Sequence, residues 1–191
     1  MIAQSTKCAA KPGCISYSGR MTDSSPPVEL AGEDLETWAG LATVLEWLPP
    51  ALDAPLVQDF DLTHFEYGIL FALADAADRT LRMSDLAGFA NSSLSRLSRA
   101  VSRLEGRGWV RRSQDPRDGR STRATLTDAG RKVINEATPS HVDTVRRLVL
   151  DPLTAAQRRQ LREITLRIQK AIRTQEGWRP PRGISSPAAS E

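Results

Sequence analysis

Residues 92–112 read SSLSRLSRAVSRLEGRGWVRR, a run in which nearly every position that is not apolar is a serine or an arginine. Both types suit work on phosphates. A guanidinium fork binds phosphate oxygens and guanine edges two at a time, and a serine hydroxyl donates where a bulkier group would clash. Catalytic chemistry has far less to work with. The chain holds two histidines, His64 and His141, and no nucleophile elbow, phosphate loop or metal-ligand cluster. An enzyme is therefore not expected, nor a cofactor or metal. Cys8 and Cys14 are too few for a disulfide scaffold and have no histidine beside them to make a metal site.

Charge is distributed in blocks. The 191 residues carry a net charge of only +3, but 12 acids and no lysine or arginine lie between Met21 and Asp78. From Arg79 to Arg123, eleven arginines face four acids (Asp85, Glu105, Asp115 and Asp118), an excess of seven positive charges. Such segregation is the footprint of a surface for a polyanion. With 40% hydrophobic residues the chain is globular. It has no apolar run long enough to span a membrane and no compact signal-peptide core. A cytoplasmic, nucleoid-associated location is expected, without membrane contact.

On a helical projection with Leu94 at 0°, Leu97, Val101 and Leu104 fall at about 300°, 340° and 280°, an apolar arc that must face a core. Ser92, Arg96, Arg99 and Arg103 fall at about 160°, 200°, 140° and 180°, opposite that arc, with Ser95 and Ser102 beside them. An ordinary solvated helix interleaves its cations with glutamate at i,i+4. Here Glu105 is the only acid, and it lies off the arginine stripe. Serine is a mediocre helix former, so five serines between Ser92 and Ser102 need a reason other than helix stability.

The surrounding elements position this face. Leu30, Leu35, Trp38, Leu41, Leu45 and Leu48 predict a first helix over 29–48, broken by PPALDAP. A capping box, Thr63 to Glu66, opens a second helix. Ser84 is expected to cap a short third helix, and Asn91 or Ser92 the arginine-rich one, which stops at Gly106 or Gly108. Two helices joined by so few residues form a helix-turn-helix. Val110 starts an extended stretch, DPRDGR turns it, and Thr122, Ala124 and Leu126 alternate as a strand, making a basic hairpin or wing. Thr127 and Asp128 open a further helix, which Pro139 should kink or split. A second capping box, Thr154 to Gln157, precedes a last helix striped by Leu161, Ile164, Ile168 and Ile172.

This order, with the text SSLSRLSRAVSRLEGRGWVRRSQDPRDGRSTRATLTDAG at residues 92–130, resembles the MarR (multiple antibiotic resistance regulator) family of winged-helix transcription factors. The likeness extends more loosely from about Leu30 to Ile172, through LTHFEYGILFAL and DPLTAAQRRQL. It implies a mainly α fold with a small β-hairpin wing, in which a winged helix-turn-helix lobe adjoins a helical dimerisation region. The expected division is a leader over 1–28 (with Met21 an alternative start), a dimerisation helix and linker over 29–60, and the winged lobe over 61–126. C-terminal dimerisation helices over 127–174 and a Pro/Gly/Ser-rich tail over 175–191 complete it.

The resemblance further implies a homodimeric regulator, usually a repressor, on double-stranded DNA with a pseudo-palindromic operator. Ser92, Ser93, Ser95, Arg96, Arg99 and Arg103 would meet bases and phosphates, and Arg117 or Arg120 would reach the minor groove. Asp115, Asp118 and Gly119 would shape the wing. Many members release DNA when a small phenolic or carboxylate ligand binds. Trp38, Trp47, His64 and Tyr67 would line such a pocket here. Equally, Trp38 would serve as dimer core and His64 as a first-turn surface residue. Oxidant sensing is not expected, since the first helix lacks cysteine. The competing reading is a winged-helix protein without a small-molecule effector, acting through a protein or RNA partner.

Overall fold

A computed structural model of the chain describes residues 30–175 except Arg117. The two cysteines, Met21, the leader over 1–28 and residues 176–191 of the tail lie outside the described residues, as does the wing's Arg117. The chain divides after Ala39. Up to that point the described part holds only the opening turns of α1 (Gly32–Phe60). From Gly40 onward lie the remainder of α1, then α2 (His64–Asp75), β1 (Thr80–Arg82), α3 (Met83–Phe89) and α4 (Leu94–Gly106). The wing strands β2 (Val110–Asp115) and β3 (Asp118–Leu126) follow, then α5 (Asp128–Val145), a π turn over Arg146–Leu150 and α6 (Ala155–Thr174). The architecture is mainly helical with a small antiparallel sheet, as expected.

Local chemistry explains most boundaries. At the start of α2, Thr63 Oγ1 accepts from Glu66 N at 3.2 Å, and Thr63 N donates to Glu66 Oε2 at 3.1 Å. The same reciprocal box, Thr154 with Gln157, opens α6. Thr127 caps α5 by accepting from Gly130 N, while its own hydroxyl reaches back to Gly108 O at 2.7 Å. The sheet has the order β1-β3-β2, with Thr80 facing Thr125 and Val110 facing Leu126. Strand β1 went unread in the sequence because three residues are too short to display a period.

Four expectations are corrected. Helix α1 does not stop at Leu48 but runs through Pro49, Pro50 and Pro55 to Phe60. Each proline removes a backbone donor and crowds the preceding turn. What holds the segment is tertiary burial: Leu52 and Leu56 are in the core, and Asp53 Oδ1 accepts from His64 N at 2.6 Å. Pro139 likewise does not split α5, which continues to Val145. There Ile134 and Ala137 are buried, and Thr138 Oγ1 donates to Ile134 O at 2.6 Å. Ser84 does not cap α3. That helix starts straight off β1 with no side-chain cap, and the Ser84 hydroxyl bonds Asp85 instead. The cap of α4 is Ser93, accepting from Arg96 N, rather than Asn91 or Ser92. The chain turns through Asn91 at φ 47°, which leaves Ser92 buried and bonded to Ser93 O.

One core joins α2, α3, α4, the wing base and α5, through side chains such as Leu70, Leu86, Leu104, Val110 and Ile134. Gly130 is fitted tightly into the first turn of α5: a Cβ there would strike the carbonyl oxygen of Trp109 and lie 2.8 Å from Leu126 Cδ1. That carbonyl already accepts from Thr127 N at 3.0 Å, so it cannot retreat without releasing the helix start. Gly130→Ala is therefore expected to destabilise the fold by about 1–3 kcal/mol, despite the better helix propensity of alanine. Urea unfolding checks this, and an unchanged or raised midpoint would remove the packing argument.

Candidate nucleic-acid interface

The orientation of α4 follows from which side chains the core takes. Leu97, Ala100, Val101 and Leu104 are buried. On the projection used above they centre near about 290°, so the outermost meridian lies near about 110°. Ser95, Ser102 and Arg99 sit there, all exposed. The sequence projection placed the outward pole further round, because it counted Leu94 as core and passed over Ala100. In fact Leu94 is 54% exposed and Ala100 is 1% exposed.

The arginine stripe consequently splits. Arg96 and Arg103 occupy the flank turned to α2. The Arg96 guanidinium lies 4.2 Å above the Phe65 ring, and Arg103 Nε donates to Glu66 Oε1 at 2.7 Å. At the end of α4, Arg107 donates to the Asp61 carbonyl and carboxylate and lies over the Trp109 ring. Arg99 is left at the outer meridian and makes no ion pair among the described residues. Ser93 is exposed but occupied as the cap, whereas Ser92 is buried and is not presented outward.

Glu66 is the pivot of this clasp. It is 2% exposed, and burial alone would push its carboxyl upward. The hydrogen bonds from Arg103 and from Thr63, through both its backbone and its hydroxyl, outweigh that and hold it below the ordinary value of 4.5.

On the opposite flank α4 is tied to the wing. Glu105 accepts from Arg112 N at 3.0 Å and Arg112 Nε at 2.8 Å, and those two bonds lower its carboxyl. The wing is organised by its aspartates. Buried Asp115 accepts from Arg82 Nε at 2.7 Å, bridging β1 to β2. Asp118 accepts from Ser121 Oγ at 2.7 Å and from Arg120 N at 3.1 Å, and the Ser121 bond is the larger cause of its lowered carboxyl. Gly119 follows in the exposed start of β3, beside Arg120, which is also exposed.

Of the four residues expected around an effector pocket, His64 lines the cavity beside α4. Between the later turns of α1, α2 and α4 lies an open cavity of about 710 Å³ whose walls include Asp53, His64, Phe65, Arg96, Arg99 and Arg103. Tyr67 does not line it. It is a core residue whose ring lies 4.1 Å from that of His141 and whose hydroxyl meets Thr138 Oγ1 at 3.3 Å. Trp47 is 73% exposed, because it lies about 180° round α1 from buried Leu56. Trp38 is half exposed in the first unit. His64 is half-buried rather than a surface residue, and stacks on His141 at 5.1 Å. Burial lowers both imidazoles. The Asp53 carboxylate opposes this at His64, while His64 adds to it at His141. Nothing in the sequence spacing announced the pair, since the partners are 77 positions apart.

Among the described residues no group of three His, Cys, Asp or Glu side chains is placed to hold a metal, and no helix is long and apolar enough to cross a membrane. Two short helices with a tight turn, flanked by a three-stranded wing, define a winged helix-turn-helix protein. Comparison with known proteins narrows the class. The pattern of the MarR family matches residues 62–122. A MarR family transcriptional regulator from Streptomyces coelicolor, solved in complex with DNA, superposes with a TM-score of 0.76 at 38% identity. That match covers 82% of this chain and 97% of that one. AbsC, a MarR family transcriptional regulator from the same organism, gives 0.73 at 33% identity over 77% of this chain and 99% of its own. Among curated relatives, the HTH-type transcriptional regulator YdcH of Bacillus subtilis is 31% identical over 85 residues, 44% of this chain and 58% of that protein. The match spans less than two thirds of the curated relatives' length. The chain belongs to the MarR family, and the relatives named are transcriptional regulators by name, none an enzyme.

Buried Glu66 and the two half-buried imidazoles set two acid-sensitive windows. A depressed carboxyl contributes stability that is present above its ordinary value and lost as pH falls through its folded value. Glu66→Gln is therefore expected to flatten the decline of unfolding free energy below pH 4.5. A lowered imidazole makes the unfolded chain the stronger proton binder, so stability also declines as pH falls below 6.5. His141→Gln should flatten that upper window only. Denaturant titrations across pH check both, and profiles parallel to the parent's would reject the assignments.

Proposed function

We propose that the chain is a homodimeric transcriptional repressor that binds a pseudo-palindromic operator in duplex DNA and is released by a small acidic aromatic ligand. It would act on the nucleoid in the cytoplasm. The observation that carries the DNA reading is the outer face of α4, with Ser95, Ser102 and Arg99 pointing away from the core beside a basic wing. Small hydroxyl side chains let a helix backbone approach base edges closely, and Arg99 supplies the guanidinium for phosphate or guanine. Arg120, next in the chain to Gly119 on the exposed wing, is the described candidate for the minor groove. Arg96 and Arg103 act from the flank, steadying α4 through Phe65 and Glu66 and adding to the positive potential.

Dimerisation is supported by apolar side chains that the single chain leaves in water. On α6, Leu161, Ile164, Ile168 and Ile172 are all exposed, as are Leu41, Leu45 and Trp47 on α1. A stripe like that of α6 is an interaction surface when it stays uncovered. Ligand release is supported by the cavity beside α4, where His64 and Phe65 offer aromatic surface and three α4 arginines offer charge to a carboxylate. A ligand there would compete for the side chains that set the helix.

Selection from random duplex DNA tests the reading, followed by gel-shift titration of the enriched sequence. The parent is expected to enrich a palindrome, and Arg99→Ala to weaken binding by about 1–3 kcal/mol while relaxing preference at one position per half-site. Enrichment of no duplex would favour an RNA or protein partner instead. Light scattering is expected to give the mass of two chains, and a monomer at micromolar concentration would remove the dimer.

A further inference from the structure

Leu94 is the first residue of α4, directly after the Ser93 cap, and the core has not taken it. Its side chain borders a cleft of about 280 Å³ between α4 and the wing, whose other walls include Ser98, Arg82, Arg120, Ser121 and Thr122. Met83 also borders the cleft but is buried, and the remaining walls are hydroxylic or cationic, so Leu94 is the exposed apolar group on a surface otherwise suited to a polyanion. Leucine at this point stabilises the free fold little, being half exposed, and it costs hydration of its apolar surface. An exposed leucine needs no explanation in general. One at the leading end of the helix that would enter a groove does, because the first residues of such a helix are the ones that reach base edges.

The only apolar group that duplex DNA displays in the major groove is the thymine 5-methyl. We infer that Leu94 is a specificity-determining residue that packs against a thymine 5-methyl in each half-site, an assignment that rests on the DNA reading given above. Leu94 lies about 110° round α4 from the outer meridian, on the side of the wing cleft, so the methyl it meets is at the wing edge of the helix, and the small serines at 95, 98 and 102 leave α4 free to approach that closely. Arg120 stands across the cleft and adds positive potential on the same side of the helix. The contact buries an apolar surface that water otherwise covers, which is what makes it discriminate thymine from cytosine or uracil.

The experiment begins from the palindrome enriched by the parent protein and replaces each thymine, one symmetric pair at a time, by deoxyuridine. Binding is read by fluorescence anisotropy for the parent and for Leu94→Ala, whose fold is checked by its melting temperature. One thymine pair is expected whose methyl removal weakens the parent about three- to tenfold, the scale of a lost apolar contact. For Leu94→Ala the thymine and deoxyuridine duplexes are expected to bind alike at that position. Two results overturn the assignment while leaving the DNA reading intact: a parent indifferent to every methyl, or a methyl effect undiminished in Leu94→Ala. Failure to enrich any duplex sequence overturns both.

Discussion

The arrangement of the winged lobe depends on a buried carboxylate. Glu66 closes the capping box of α2 with one oxygen and receives Arg103 of α4 with the other. A charge so deeply enclosed is tolerated only when its lone pairs are met by donors. Thr63 and Arg103 are therefore both needed, and meeting them sets the roll of α4 against α2. The stack of Arg96 on Phe65 and the contact of Arg107 with Asp61 lie along the same flank and reinforce that roll. The outward presentation of Ser95, Arg99 and Ser102 follows from it.

The wing is held by the same kind of economy in acids. Each of the four acids within the arginine-rich block has a partner: Glu105 holds Arg112, Asp115 holds Arg82, Asp118 organises the turn, and Asp85 accepts from Ser84. These pairs do not cancel the basic surface so much as sort it. Arginines with partners become structural, and those at the outer meridian and on the hairpin remain for a ligand. The surface pairs are each worth little in stability; their effect is geometric.

The cavity beside α4 links the two parts of the proposed function. His64 stands between α1, through Asp53, and α5, through His141, while Phe65 one residue on supports Arg96. A molecule lodged among these groups has physical routes to α4 through the ion pair and the cation–π contact. Because the lobe is close-packed around them, a change of roll in α4 would be a shift between packings rather than a gradual bend.

The sequence determined the helix-turn-helix, the hairpin and the helix starts at Thr63, Thr127 and Thr154. Those depend on short-range chemistry: capping hydroxyls, turn residues and a period of 3.6 or 2 read over a few turns. It also placed the positive block correctly along the chain, since charge is a property of composition. Tertiary structure decided what local pattern cannot. Pro49, Pro50, Pro55 and Pro139 stay inside helices because packed neighbours outweigh the lost backbone bonds. His64 meets His141 only once α2 packs on α5. Above all, the face of α4 turned outward was settled by Ala100 and Glu66, one too small and the other too polar to be read as core from a periodicity of large apolar residues. Leu94, apolar yet left in water, is the other half of that result: a helix buries what its neighbours have room for, and the roll that encloses Ala100 turns Leu94 out.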